Sequence, residues 1–122
     1  MFGSCVTHGF EVRDNGFRHC KYCGSIHPED LYNLLIEGKV TLGGSDWKYG
    51  WPHKFYVYEK GNLRLSGAKF YNNHLSTELL DEETFNKVVD TINLHSGITF
   101  ERKEGKLYYS APYAGYQKMS WQ

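Results

Sequence analysis

Cys5-Val6-Thr7-His8 and Cys20-Lys21-Tyr22-Cys23-Gly24 decide how this chain folds. The two stretches hold all three cysteines and one of the six histidines, separated by eleven residues. Thiolate and imidazole donors in two x2-spaced pairs are what a tetrahedral Zn²⁺ ion requires, because each pair spans one edge of the coordination shell. Four protein ligands close that shell and leave no position for a substrate water. The expected role of the ion is therefore structural, with Cys5, His8, Cys20 and Cys23 as ligands. His19 and His27 are alternatives to His8, which the x2 spacing favours. An odd cysteine count argues against a disulfide framework, and Cys23→Ser should release the metal and unfold the N-terminal module. Zinc would contribute about 10–16 kcal/mol of apparent binding energy to the folded state.

Working outward, Gly24 follows the second thiol, where a tight knuckle needs a residue that tolerates positive φ. Between the ligand pairs, Phe10-Glu11-Val12-Arg13 and Phe17-Arg18-His19 flank Asp14-Asn15-Gly16, a hairpin signal. Pro28-Glu29-Asp30 opens a helix carrying Leu31, Leu34 and Leu35 at i, i+3, i+4, and Gly38 closes it. Knuckle, hairpin, knuckle and helix follow the order of a treble-clef or zinc-ribbon-like module over residues 1–38.

Residues 39–52, with Gly43-Gly44-Ser45-Asp46 and Trp51-Pro52, read as loop. His53 to Glu59 alternates, and a three-residue Lys60-Gly61-Asn62 connection pairs it with Leu63 to Ser66. That register sets Val57 opposite Leu65 and places Phe55, Val57, Leu63 and Leu65 on one face. The other face shows Lys54, Tyr56, Tyr58, Arg64 and Ser66. Asp81 caps a helix running to about His95, with Glu82 and Glu83 in its first turn and Phe85, Val88, Val89 and Ile92 as its apolar stripe. Gly97 ends it. Ile98–Arg102 and Leu107–Tyr109 form a last hairpin turning at Glu104-Gly105. The aromatic tail over 111–121 is expected to pack on the body or on a partner. The fold class is α+β: the zinc module, then a ββ-α-ββ portion over 39–122 packed with it in one compact domain.

The chain has 122 residues and no net charge. Zero net charge argues against wholesale electrostatic capture of nucleic acid. The distribution is uneven, for residues 39–74 carry six basic and two acidic side chains together with eight of the twenty aromatics. No apolar run approaches the roughly 20 residues of a membrane span. Thiols held ready for metal suit a reducing compartment.

Cys20-Lys21-Tyr22-Cys23-Gly24-Ser25-Ile26-His27-Pro28-Glu29-Asp30-Leu31, Gly44-Ser45-Asp46-Trp47-Lys48-Tyr49-Gly50-Trp51-Pro52-His53-Lys54 and Ala111-Pro112-Tyr113-Ala114-Gly115-Tyr116 resemble small zinc-finger proteins encoded by tailed bacteriophages. The resemblance spans most of the chain. It implies a viral origin, with a place in the host cytoplasm or on the virion, and the zinc site. It implies no mechanism, because that family is mostly without an assigned activity.

For chemistry, the sequence offers no Gly-rich phosphate loop, no His-Glu-x2-His and no Gly-x-Ser-x-Gly. Glu82 and Glu83 read as helix-start residues, and His53, His74 and His95 as scattered surface or satisfied histidines. The expectation is a binding protein without catalysis. Its face comprises Trp47, Lys48, Tyr49, Trp51, Lys54, Tyr56, Tyr58 and Arg64. Trp, Tyr and Arg are the residue types that dominate protein interfaces, and neutral charge favours a protein partner, either a virion component or a host factor whose activity is blocked. The alternative is single-stranded nucleic acid, with the rings stacking bases and the cations meeting phosphates.

Overall fold

The computed structural model describes residues 9–48, 51–61, 65, 69–75, 79–103, 106–111 and 115–118. Strands β1 (Phe10–Val12) and β2 (Arg18–Cys20) form the expected first hairpin, with Phe10 opposite Cys20 and Val12 opposite Arg18. Its turn is held by Asn15, whose side-chain oxygen accepts the Phe17 N–H at 2.9 Å, and by Gly16 at φ 87°. Helix α1 (Pro28–Ile36) starts with proline in its first turn and is capped by the His27 side chain. It buries Leu31, Leu34 and Leu35, and Gly38 ends it at φ 72°. Hairpin and helix are clasped together by Arg18, whose guanidinium meets Asp30 at 2.9 Å and Glu29 at 3.2 Å.

The next segment differs from the sequence reading. Residues expected to loop over 39–52 instead supply strand β3 (Val40–Lys48), which pairs antiparallel with β4 (Trp51–Glu59). The glycines that signalled a turn form a bulge. Leu42 lies opposite Val57 while Ser45 lies opposite Phe55, so β3 carries one extra residue at Gly43-Gly44. Val57 thus pairs with Leu42 rather than Leu65. Leu65 is nevertheless buried, and its N–H donates to a Glu59 carboxylate oxygen at 2.7 Å; Leu63 and Arg64 lie outside the described residues. The parity of β4 is as expected, with Phe55 and Val57 inward and Tyr58 exposed.

The third strand of this sheet is β5 (Lys69–Tyr71), also paired with β4. It leads into a 3-10 turn, Asn72–His74. Helix α2 (Glu82–Ser96) is capped by Asp81, which accepts the Thr84 N–H at 2.8 Å, and ends on Gly97 at φ 75°. A second three-stranded sheet follows, β6 (Thr99–Lys103), β7 (Lys106–Ala111) and β8 (Gly115–Lys118) in that order. After the hairpin and α1, the order is three strands, helix and three strands, where two, one and two were expected. The strand expected over residues 63–66 lies mostly outside the described residues, and the strands not anticipated are β3, hidden by its glycines, β5, and β8, built from the aperiodic tail.

A single apolar core runs through both parts of the chain. It joins Ile26 and the α1 leucines to Val40, Phe55 and Phe70, to the α2 stripe of Phe85, Val88, Val89 and Ile92, and to Phe100 and Leu107. Among the described residues no helix is long and apolar enough to cross a membrane.

Candidate metal centre

Cys20 ends β2, and the chain reverses at once. The Gly24 N–H donates to the Cys20 carbonyl at 2.8 Å, and the Cys20 N–H donates to the Ser25 carbonyl at 2.8 Å. Gly24 takes φ 80°, which a side chain would make strained. Within this knuckle the Tyr22 N–H points at the Cys20 sulfur, 3.3 Å away. Cys20 is fully buried and Cys23 half-buried.

The knuckle is docked against the central sheet. The Ile26 N–H donates to the Lys69 carbonyl at 3.2 Å, and the Tyr71 N–H donates to the Ser25 hydroxyl at 3.2 Å. This lays the edge of β5 along the segment after Cys23, and the 3-10 turn three residues further on brings in His74. Its Nε2 lies 3.2 Å from the Cys23 sulfur. The donor atoms of Cys20, Cys23 and His74 all fall within 4.8 Å of one another.

That geometry suits a tetrahedral ion. With Zn–S of about 2.3 Å and Zn–N of about 2.0–2.1 Å, tetrahedral edges come to roughly 3.5 Å for S···N and roughly 3.8 Å for S···S. Two soft thiols and an imidazole also match the donor preference of Zn²⁺. His74 is 0% exposed, and its Nδ1 is buried without a hydrogen-bond partner. Burial first, and then the nearby His27, lower its pKa to about 4. The ring is therefore neutral at pH 7, the form in which imidazole ligates metal. Phe10 packs edge-on against both His27 and His74, at 4.6 and 5.5 Å between ring centres, and closes one side of the cluster.

Of the ligands expected from spacing, Cys20 and Cys23 are brought together, while Cys5 and His8 lie outside the described residues. The two stand-ins weighed for His8 are engaged elsewhere. His19 accepts from the Asn15 amide at 3.2 Å on one ring nitrogen and donates to the Gly24 carbonyl at 3.1 Å from the other. His27 uses Nδ1 to accept the Glu29 N–H at the start of α1. His74, expected to be a scattered histidine, joins the cluster instead. It stands 51 residues from Cys23, and no local spacing marks it. Of the other histidines in that group, His53 packs edge-on against Tyr71 and His95 is exposed.

The expected binding face is partly described. Lys54 pairs with Asp46 at 3.2 Å, and its ammonium lies 5.4 and 5.6 Å from the ring centres of Tyr56 and Tyr71. The Tyr56 hydroxyl donates to the same carboxylate at 2.9 Å. Asp46 is held below the usual carboxylate range by the Tyr56 hydrogen bond and then by Lys54, while Lys54 is raised chiefly by Asp46. Tyr58 is 57% exposed. Tyr49 and Arg64 lie outside the described residues, and the side chains of Trp47, Lys48 and Trp51 are likewise not described.

Neither a protein-family model, nor a curated protein, nor a solved structure matches the chain.

Proposed function

We propose that this chain is a zinc-stabilised binding protein of the kind tailed bacteriophages encode, acting through contacts with a protein partner rather than through catalysis. The observation that carries the metal part is the convergence of Cys20, Cys23 and His74 donors within 4.8 Å. Zn²⁺ is the ion these donors favour, with the remaining ligand drawn from the Cys5-x2-His8 pair. The ion's role is structural: it joins the knuckle to the end of β5.

The choice of partner rests on the central sheet. Lys54 and Tyr56 are both tied to Asp46, so that lysine's charge is already neutralised and that hydroxyl already committed. A phosphate would have to displace Asp46 to reach Lys54. Exposed Tyr58, Tyr22 and Val12 offer apolar and hydrogen-bonding surface that suits a protein partner instead. A virion component or a host factor would each fit this description.

Two measurements test the reading. Elemental analysis of the protein purified without added metal should return one zinc per chain; a folded, metal-free protein sinks the metal part. Fluorescence anisotropy with short random single-stranded DNA and RNA across a salt series should show no binding at low salt. Micromolar binding that weakens with salt would instead make the Tyr56 and Tyr58 face a nucleic-acid platform.

A further inference from the structure

The outward face of the central sheet sets an excess of positive charge beside an open aromatic ring. Parity fixes which side chains share that face. Phe55, Val57 and Phe70 are buried, so Lys54, Tyr56 and Tyr58 of β4 and Lys69 and Tyr71 of β5 project from the opposite side. Register completes the arrangement: Lys54 lies between Asp46 and Tyr71, and Tyr56 lies opposite Lys69. We infer that this face docks an extended acidic segment of the protein partner, with an apolar ring of the segment stacked on Tyr58 and a carboxylate two residues away paired with Lys69. This rests on the protein-partner reading above and deepens it by stating the partner's chemistry.

Charge is the first argument. Among the described residues the face holds two ammoniums and one carboxylate. Asp46 pairs with Lys54 at 3.2 Å and accepts the Tyr56 hydroxyl at 2.9 Å, so that carboxylate is engaged. Lys69 makes no ion pair with any described residue. Its charge still reaches this corner of the sheet, for Asp46, lowered first by Tyr56 and then by Lys54, is lowered further by Lys69. An incoming carboxylate can therefore meet Lys69 without displacing Asp46.

Shape is the second argument. Gly43 offers no side chain beneath Tyr58, so one face of that ring rests on the β3 backbone. The other is turned to solvent, and the residue is 57% exposed. A ring in this pose stacks on another ring or on a proline. Spacing is the third. Tyr58 and Lys69 are diagonal neighbours across β4 and β5, about 7–8 Å apart. Same-side residues of an extended chain lie two rises apart, about 6.4–6.8 Å. An apolar ring and a carboxylate at i and i+2 of an extended segment thus match both anchors. A basic segment is repelled by Lys69, and a nucleic acid strand, charged at every nucleotide, meets one unpaired ammonium among the described residues of this face.

Amide NMR titration of the isotopically labelled full chain tests this with three peptides, each carrying Phe-Ser-Glu, Phe-Ser-Gln or Phe-Ser-Lys between glycine-serine arms. The Glu peptide should bind roughly three- to fivefold more tightly than the Gln peptide, the scale of a part-exposed ion pair, and shift the Tyr58 and Lys69 amides. Lys69→Gln should abolish that preference, Lys69→Glu should transfer it to the Lys peptide, and Tyr58→Ala should weaken all three. The inference is overturned if peptide charge makes no difference, if Lys69→Gln keeps the preference, or if no peptide shifts these amides. Should Lys69→Gln disturb the fold, wild type decides: the preference should vanish at high salt, and one that persists overturns the ion pair. Equal binding of all three peptides through Tyr58 overturns the acidic chemistry alone and leaves a protein partner standing. A short single-stranded DNA that shifts the same amides and displaces the Glu peptide overturns both.

Discussion

Gly43 lies directly beneath the Tyr58 ring, and a Cβ there would overlap that ring. The bulge at Gly43-Gly44 is thus where a side chain from the next strand covers backbone, as aromatic residues do over strand glycines. Gly43→Ala should destabilise the protein by only about 1 kcal/mol, since exposed Tyr58 has room to swing off at the loss of one cross-strand contact. Urea denaturation checks this, with an unchanged midpoint counting against the contact. Asp30 presents a different balance. Burial alone would raise its pKa, but the Arg18 side-chain and backbone hydrogen bonds and the Arg18 charge together hold it below the usual range. The folded-state pKa is depressed, so the clasp's contribution is present above pH 4 and is lost as pH falls through the lowered value. Asp30→Asn should cost about 1–2 kcal/mol at pH 7, the lower part of the range for charged hydrogen bonds because Arg18 is partly exposed. Below pH 3 the difference between the variant and wild type should shrink, and a constant difference across that range would refute the assignment.

At the scale of elements, local signals were strongest where capping and periodicity coincide. Both helices start and stop at the residues that signal them, Asp81 and Gly97 for α2, Pro28 and Gly38 for α1, although the N-cap of α1 is His27, which in the sequence reads as an alternative metal ligand. The strands were less legible. Gly43 and Gly44 read as turn in isolation, and only the pairing of Leu42 with Val57 and Ser45 with Phe55 shows them as an inserted residue in a ladder. The β8 segment has no alternation to betray it, and it is placed by its antiparallel pairing with β7. The exposed edge of β6 is closed by a side chain. The Asn93 amide donates to the Phe100 carbonyl at 3.0 Å, and its oxygen accepts the Phe100 N–H at 2.7 Å, so α2 supplies what a further strand would. Asn93→Ala should cost about 1–3 kcal/mol, because it leaves both backbone groups of Phe100 unsatisfied. Hydrogen exchange at the Phe100 amide should accelerate at least in proportion; unchanged protection would show that the bond contributes nothing.

For the whole molecule, the candidate metal cluster brings together segments far apart in sequence. A ligand in the knuckle alone would make zinc matter mainly to residues 1–38. With His74 in the cluster, a bound ion would close a loop of about fifty residues, which contributes Ile26 and Phe70 to the core. On the proposed zinc reading, removing the metal with a chelator should therefore lower the melting temperature of the entire domain, by about 10 °C or more for a chain of this size. Circular dichroism should report helix loss from α1 and α2 in one transition. Two separated transitions, with α2 unaffected by chelation, would confine the metal to the N-terminal module.

The sequence by itself determined what depends on near neighbours: the knuckle at Cys20 and Cys23, the Asn15-Gly16 hairpin, both helices with their caps, and the inward and outward parity of β4. These follow from backbone propensities and side-chain periods that act within a turn or two. Only the tertiary structure decided the partner of β4, the strand formed by the tail, the commitment of Lys54 to Asp46, and the third member of the metal cluster. His74 became a candidate ligand because β5 pairs with β4 on one side and meets the Ile26 segment on the other, which carries the following turn to the thiols. Residue spacing encodes ligands that share a loop. A ligand delivered by strand pairing across the fold exists only once the sheet has formed.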